Sequence, residues 1–136
     1  MKILNQVYQK IIDTIGQAPI ESGGIIGVRD GTICAYYFDE GNSSPTEYKP
    51  DTQRINSVIQ TWAKERIAFA GIVHSHPNGL KLLSKGDEEY ARNILNDTKL
   101  EKLIFPIVTI ESGAAKITFY EISNKIGSQK IKIVKS

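Results

Sequence analysis

Apolar residues recur every three or four positions in three segments of the chain, the spacing of an amphipathic helix. The first segment is followed by Gly16 and Pro19, two residue types that commonly end a helix. The third begins near Ser84, a residue type favoured at the start of a helix. We therefore predict three helices, with apolar stripes at Leu4, Val7, Tyr8, Ile11, Ile12 and Ile15; at Ile55, Val58, Ile59 and Trp62; and at Tyr90, Ala91, Ile94 and Leu95.

Short apolar runs between and after these helices predict β-strands. Asp30-Gly31 separates the first two runs, and an aspartate-glycine pair there is a strong hairpin signal because both turn positions need positive φ. The predicted strands are GGIIGV, TICAYYF, residues 69–73, LIFPIVTI, AKITFYEI and QKIKIVK. The pattern predicts an α/β fold, in which a mixed, mostly antiparallel β-sheet is flanked by about three helices in one domain over residues 1–136.

Composition and charge narrow the classes of function. The 136 residues carry a net charge of +2, and the 17 basic and 15 acidic residues are interspersed. We therefore expect neither a nucleic-acid partner nor a membrane surface. No run approaches the roughly 18 apolar residues of a membrane span, and the N-terminal residues lack the apolar stretch of a signal peptide. A single cysteine, Cys34, excludes an internal disulfide framework. A cytoplasmic protein is the expectation.

Both histidines of the chain lie in one short stretch, HSHPNGLKLLSKGD, at the end of a predicted strand. Because side chains alternate along a strand, His74 and His76 point to the same face, about 6 to 7 Å apart, which suits two ligands of one ion. A pair of hydrogen-bonded surface histidines is the alternative. The pair alone is weak evidence for a metal site.

Asp87 strengthens the case for a metal. It precedes Tyr90, Ala91 and Ile94 by three, four and seven residues, which places its carboxylate on the apolar stripe of the third helix. A carboxylate that faces the core needs a partner. Two imidazoles and one carboxylate leave a tetrahedral zinc ion with an open position for water, as in catalytic zinc sites. The alternative is a helix start, with Ser84 as N-cap and Asp87 in the first turn.

The small number of histidines and cysteines excludes several competing metal sites. Metallophosphoesterases and the barrel-type amidohydrolases with an H-x-H pair use several more histidines, on larger barrels, than the two available. Zinc deaminases and structural zinc fingers need at least two cysteines. Cys34 is therefore interpreted as a small buried apolar residue in a strand.

The sequence His74-x-His76-Pro77, followed by Ser84-x-x-Asp87, resembles the JAMM motif of the MPN (Jab1/Mov34) metalloprotease family. The upstream sequence ESGGIIG resembles the glutamate and glycine-containing strand of that family, and the matching glutamate is Glu21. The resemblance implies an MPN/JAB, cytidine-deaminase-like architecture. It also implies that His74, His76 and Asp87 bind Zn²⁺.

The resemblance assigns the remaining roles in catalysis to two residues. Glu21 is implied as the general base that takes a proton from the attacking water and returns it to the leaving amine. Ser84 is implied as a donor to the oxyanion of the tetrahedral intermediate.

The resemblance also indicates the substrate class. In that family, the cleaved bond usually follows the C-terminal tail of a ubiquitin-like protein, which ends in two glycines. The chain is short and lacks room for a large ubiquitin-binding insertion. The resemblance therefore favours a bacterial or archaeal enzyme that acts on a ubiquitin-like modifier or sulfur-carrier protein. The segment 39–50 is a candidate flap, or else an ordinary solvent loop. A non-catalytic MPN-type scaffold and a zinc amidohydrolase acting on small peptide or amino-acid conjugates stay open, as does the oligomeric state.

Overall fold

The computed structural model describes residues 1–17, 22–39, 50–76 and 82–135. These ranges hold the three predicted helices: α1 (Asn5–Thr14), which continues into a short 3-10 turn (Ile15–Gln17), α2 (Thr52–Lys64) and α3 (Lys85–Thr98). The strands are β1 (Lys2–Leu4), β2 (Gly23–Arg29), β3 (Thr32–Asp39), β4 (Ala68–Ser75), β5 (Leu103–Glu111), β6 (Ala114–Ile122), β7 (Ile126–Ser128) and β8 (Lys132–Val134).

The strands form one mixed sheet in the order β7-β6-β5-β4-β2-β3-β1-β8. The class is α/β, but the predicted mostly antiparallel sheet is wrong. The described part of the sheet has eight strands rather than six, and β1·β3, β1·β8 and β4·β5 pair in parallel. The strands β1 and β7 were missed because three residues are too few to show a period of two.

One short connection shows that the sheet is curled. Strands β7 and β8 lie at opposite edges of the sheet, yet only residues 129–131 separate them. Four steps along the backbone reach roughly 14 Å at most. The two edges must therefore approach each other, and the sheet wraps around α1.

Each face of the sheet covers its own apolar core. On one face, Val7 and Ile11 of α1 pack against residues of β1 to β6. On the other face, α2 and α3 contribute Trp62 and Ala91 to a core that includes Phe105 of β5. Burial of these apolar stripes is the main force that holds the helices on the sheet.

The helix α3 connects β4 to β5, two neighbouring parallel strands. This crossover places the N-terminus of α3 close to the C-terminal end of β4, where sites in α/β sheets commonly lie. In the described ranges, no helix is long and apolar enough to cross a membrane.

Candidate functional site

The end of β4 positions both histidines. His74 pairs with Gly23 of β2 on one side and with Ile107 of β5 on the other, so it lies inside the sheet. The backbone N–H of His76 donates to the carbonyl of Val108 at 3.0 Å, which extends the ladder beyond the strand. The two imidazoles therefore lie on one face, the face covered by α2 and α3.

A reciprocal pair of hydrogen bonds begins α3. The Ser84 hydroxyl oxygen accepts from the backbone N–H of Asp87 at 3.0 Å, and Asp87 Oδ2 accepts from the backbone N–H of Ser84 at 3.0 Å. This capping box satisfies two N–H groups that a helix start leaves without partners. It also fixes the Asp87 carboxylate, which is buried with only 8% of the residue exposed.

The histidines and Asp87 converge at this point. His76 Nε2 lies 2.9 Å from Asp87 Oδ2, and His74 Nδ1 lies 3.5 Å from Asp87 Oδ1. Burial alone would raise the pKa of Asp87, but hydrogen bonds from His74, His76 and Ser84 outweigh that cost. They hold the pKa of Asp87 well below its usual range.

The two imidazoles and the Asp87 carboxylate are ligand types that suit zinc, although the side chains are not spaced as the ligands of an ion. Ligand atoms of a tetrahedral zinc site lie about 3.3 Å apart when the bonds are 2.0 to 2.1 Å. The His74 to Asp87 distance of 3.5 Å fits this spacing, whereas the His76 to Asp87 distance of 2.9 Å is a direct hydrogen bond. In the part of the chain that the structure describes, no three His, Cys, Asp or Glu side chains form a metal-binding group.

Two aromatic rings contact His74. The Tyr90 ring of α3 is nearly parallel to the imidazole, with an interplanar angle of 8° and a centroid distance of 6.0 Å. The Phe105 ring of β5 is nearly perpendicular, at 81° and 5.2 Å. The sequence predicted Tyr90 only as a core residue. Its spacing of three residues from Asp87 was the available signal that both side chains reach the same histidine.

The sequence does not predict a buried carboxylate in the same row of the sheet as His74. Asp39, at the end of β3, is 1% exposed and accepts a hydrogen bond from the backbone N–H of Asp51 at 3.0 Å. Gly23 pairs with both Asp39 and His74, so these residues form one row across three strands. Burial and the negative charge of Asp39 raise the pKa of Tyr90. Sequence alone placed Asp39 in a polar segment, since only the register of the strands reveals the row.

Glu21, the predicted general base, lies outside the described residues, as do Pro77 and residues 40–49 of the candidate flap. The residue that follows Glu21 is described. Ser22 accepts a hydrogen bond from the backbone N–H of Ser75 at 3.0 Å, and its own N–H donates to Ser75 Oγ at 2.9 Å. Ser75 separates the two histidines, so the chain next to Glu21 lies beside the site.

No protein-family model and no curated protein matches this sequence. Solved structures do resemble it. A protein from Desulfitobacterium hafniense has a TM-score of 0.77 at 20% identity, covering 100% of this chain and 94% of that chain. A protein from Salinibacter ruber has a TM-score of 0.65 at 19% identity, covering 98% and 92%. A JAB1/MPN domain protein from Archaeoglobus fulgidus has a TM-score of 0.58 at 14% identity, covering 99% and 97%. The chain therefore has a fold like that of a JAB1/MPN domain.

Proposed function

We propose that this protein is a zinc-dependent peptidase or isopeptidase that cleaves bonds after the C-terminal tail of a ubiquitin-like or sulfur-carrier protein. One observation carries the proposal: His74 and His76 both meet the Asp87 carboxylate, and Ser84 is hydrogen-bonded to that same residue. The similarity in fold to a JAB1/MPN domain supports it.

His74, His76 and Asp87 would hold the metal. A zinc ion bound by these residues would polarise the scissile carbonyl and lower the pKa of water for attack. The buried carboxylate suits this role because the capping box and the N-terminus of α3 already stabilise its negative charge.

Ser84 has a hydroxyl proton to donate in addition to its role as N-cap. The hydroxyl oxygen accepts the Asp87 N–H, which uses one lone pair and leaves the O–H group as a donor. In the proposed reaction, this O–H donates to the carbonyl oxygen as negative charge develops there. Capping and catalysis therefore use different parts of one hydroxyl group.

Glu21 is proposed as the group that moves the proton. A carboxylate beside the attacking water can accept its proton and then give that proton to the leaving amine. The hydrogen bonds between Ser22 and Ser75 support this role, because they bring the neighbouring residue of Glu21 next to the histidine pair.

The test uses a diglycine-tailed ubiquitin-like protein joined through an amide bond to a reporter. Wild type should cleave it, and Glu21→Gln should be slower by about 10² to 10⁴, the usual contribution of general acid–base catalysis. Glu89→Gln, on the exposed side of α3, is the matched control and should cleave like wild type. Equal rates for Glu21→Gln and wild type, at equal zinc content and melting temperature, would contradict the proposal.

A second candidate function is a non-catalytic MPN-type scaffold. The direct hydrogen bond between His76 and Asp87 favours it, because the pair satisfies itself without an ion. The two candidates differ in zinc affinity and in cleavage. A scaffold would neither bind zinc tightly at these residues nor cleave the fusion. A zinc amidohydrolase, the remaining alternative, would bind zinc and cleave only small peptide or amino-acid conjugates.

A further inference from the structure

Two residues of α3 contact the same histidine. Asp87 and Tyr90 are three residues apart, so they lie on one face of the helix, and both meet His74. The carboxylate lies at the edge of the imidazole, near Nδ1, while the phenol ring is parallel to the imidazole plane at an interplanar angle of 8°. One helix turn therefore sets both where a ring nitrogen points and how the ring is tilted.

Phe105 limits the imidazole from a different element. It belongs to β5, and its ring is nearly perpendicular to the imidazole, at 81° and 5.2 Å. Parallel-offset and edge-to-face arrangements are both favourable for aromatic rings at such distances. A partial rotation of the His74 ring about its Cβ–Cγ bond would disrupt both contacts at once, whereas a half-turn would preserve the ring plane and exchange the two edges of the imidazole.

Tyr90 is itself held in place. Its side chain is partly buried against the core beneath α3, and it lies close enough to Asp39 to feel the charge of that carboxylate. Asp39 is fixed by the backbone N–H of Asp51 and by its place in the row with Gly23 and His74. These contacts therefore hold the Tyr90 ring in position against the imidazole.

We propose that Tyr90 is a positioning residue for the metal site, whose ring fixes the plane of the His74 imidazole while the Asp87 carboxylate selects the Nδ1 edge. The inference rests on the proposed function, because it assigns Tyr90 an effect on a ligand of the zinc ion. An imidazole that is already oriented loses less conformational freedom when it binds a metal. Groups that orient metal ligands commonly contribute 10- to 100-fold to affinity.

Zinc affinity is the first test, measured by competition with a chelator in proteins that are fully folded. Tyr90→Leu should bind zinc roughly 10 to 100 times more weakly than wild type, whereas Tyr90→Phe, which keeps the ring, should bind like wild type. The matched control is Ile94→Ala, which weakens the same core one turn further along α3 and should leave zinc affinity unchanged. Unchanged affinity in Tyr90→Leu, or equal losses in Tyr90→Leu and Ile94→Ala, would overturn the inference.

A measurement on the metal-free protein separates this inference from the proposed function. NMR relaxation of the His74 ring should show a rigid imidazole in wild type and Tyr90→Phe, and a mobile one in Tyr90→Leu. If wild type binds no zinc, the proposed function fails, and the relaxation data still decide the positioning role. Equal rigidity in wild type and Tyr90→Leu would refute that role whatever the zinc result.

Discussion

Ser84 and Asp87 exchange two hydrogen bonds of 3.0 Å each, and the same Asp87 carboxylate contacts both histidines of the chain. The start of α3 and the candidate metal centre are therefore one structure. The sequence alone leaves two interpretations of Asp87 open, a residue of the helix start and a zinc ligand. The geometry shows that the capping contacts leave the carboxylate able to meet the imidazoles.

Replacing Ser84 tests both of its roles. Ser84→Ala should lower the free energy of unfolding by about 1 kcal/mol, the usual cost of losing an N-cap. It should retain zinc but lower kcat by roughly 10² to 10³, the usual cost of losing one oxyanion donor. Urea denaturation, metal analysis and cleavage kinetics measure the three effects.

The matched control is the N-cap of α2. Asp51→Ala removes a cap of the same kind, in which the Asp51 carboxylate accepts from the backbone N–H of Arg54 at 3.2 Å. It should lose similar stability while turnover stays at the wild-type rate. If Ser84→Ala keeps full turnover, capping is the sole role of Ser84.

Asp87 should make the stability of the metal-free protein depend on pH in the acid range. Its pKa is lower in the folded protein than the ordinary value of about 3.9, so the folded state favours the ionised form. The resulting stabilisation is present above about pH 4 and is lost as the pH falls through the folded-state pKa. Asp87→Asn should therefore melt below wild type at pH 7, and the gap should narrow from about pH 4 downwards.

The melting temperatures of both proteins, measured with a chelator between neutral and acid pH, check this prediction. A gap that stays constant with pH would show that the ionised carboxylate is not the source of the stability.

Gly71 allows the close contact between β4 and β5 that supports the histidines. A Cβ at Gly71 would overlap the carbonyl group of Ile104, its partner in the parallel pairing. Gly71→Ala should therefore destabilise the protein by about 1 to 3 kcal/mol, as overpacking usually does. Gly127→Ala is the control, since nothing lies within 4 Å of a Cβ there. Equal urea midpoints for the two variants would contradict this view of the strand pair.

Local periodicity predicted which side chains would meet. The alternation along β4 placed His74 and His76 on one face, and the apolar stripe of α3 turned Asp87 toward the sheet; both features depend only on neighbours in sequence. The contacts among these residues agree with those positions. Their role as zinc ligands stays a prediction, as does the role of Glu21, which lies outside the described residues.

Features that depend on distant parts of the chain were not predictable in the same way. The parallel pairing of β4 with β5 follows from the crossover through α3, and the row of Asp39, Gly23 and His74 follows from the register of three strands. A helical stripe also cannot show that Tyr90 packs against an imidazole rather than an aliphatic side chain.

The zinc content of the purified protein and of its His74→Ala variant tests the proposed metal site most directly. Wild type should carry about one zinc ion per chain, bound by two imidazoles and one carboxylate. His74→Ala should lose most of it, and Cys34→Ser, which alters the one cysteine of the chain, should keep it. Zinc that is absent from wild type, or that is retained in full by His74→Ala, would show that His74 is not a zinc ligand of this protein.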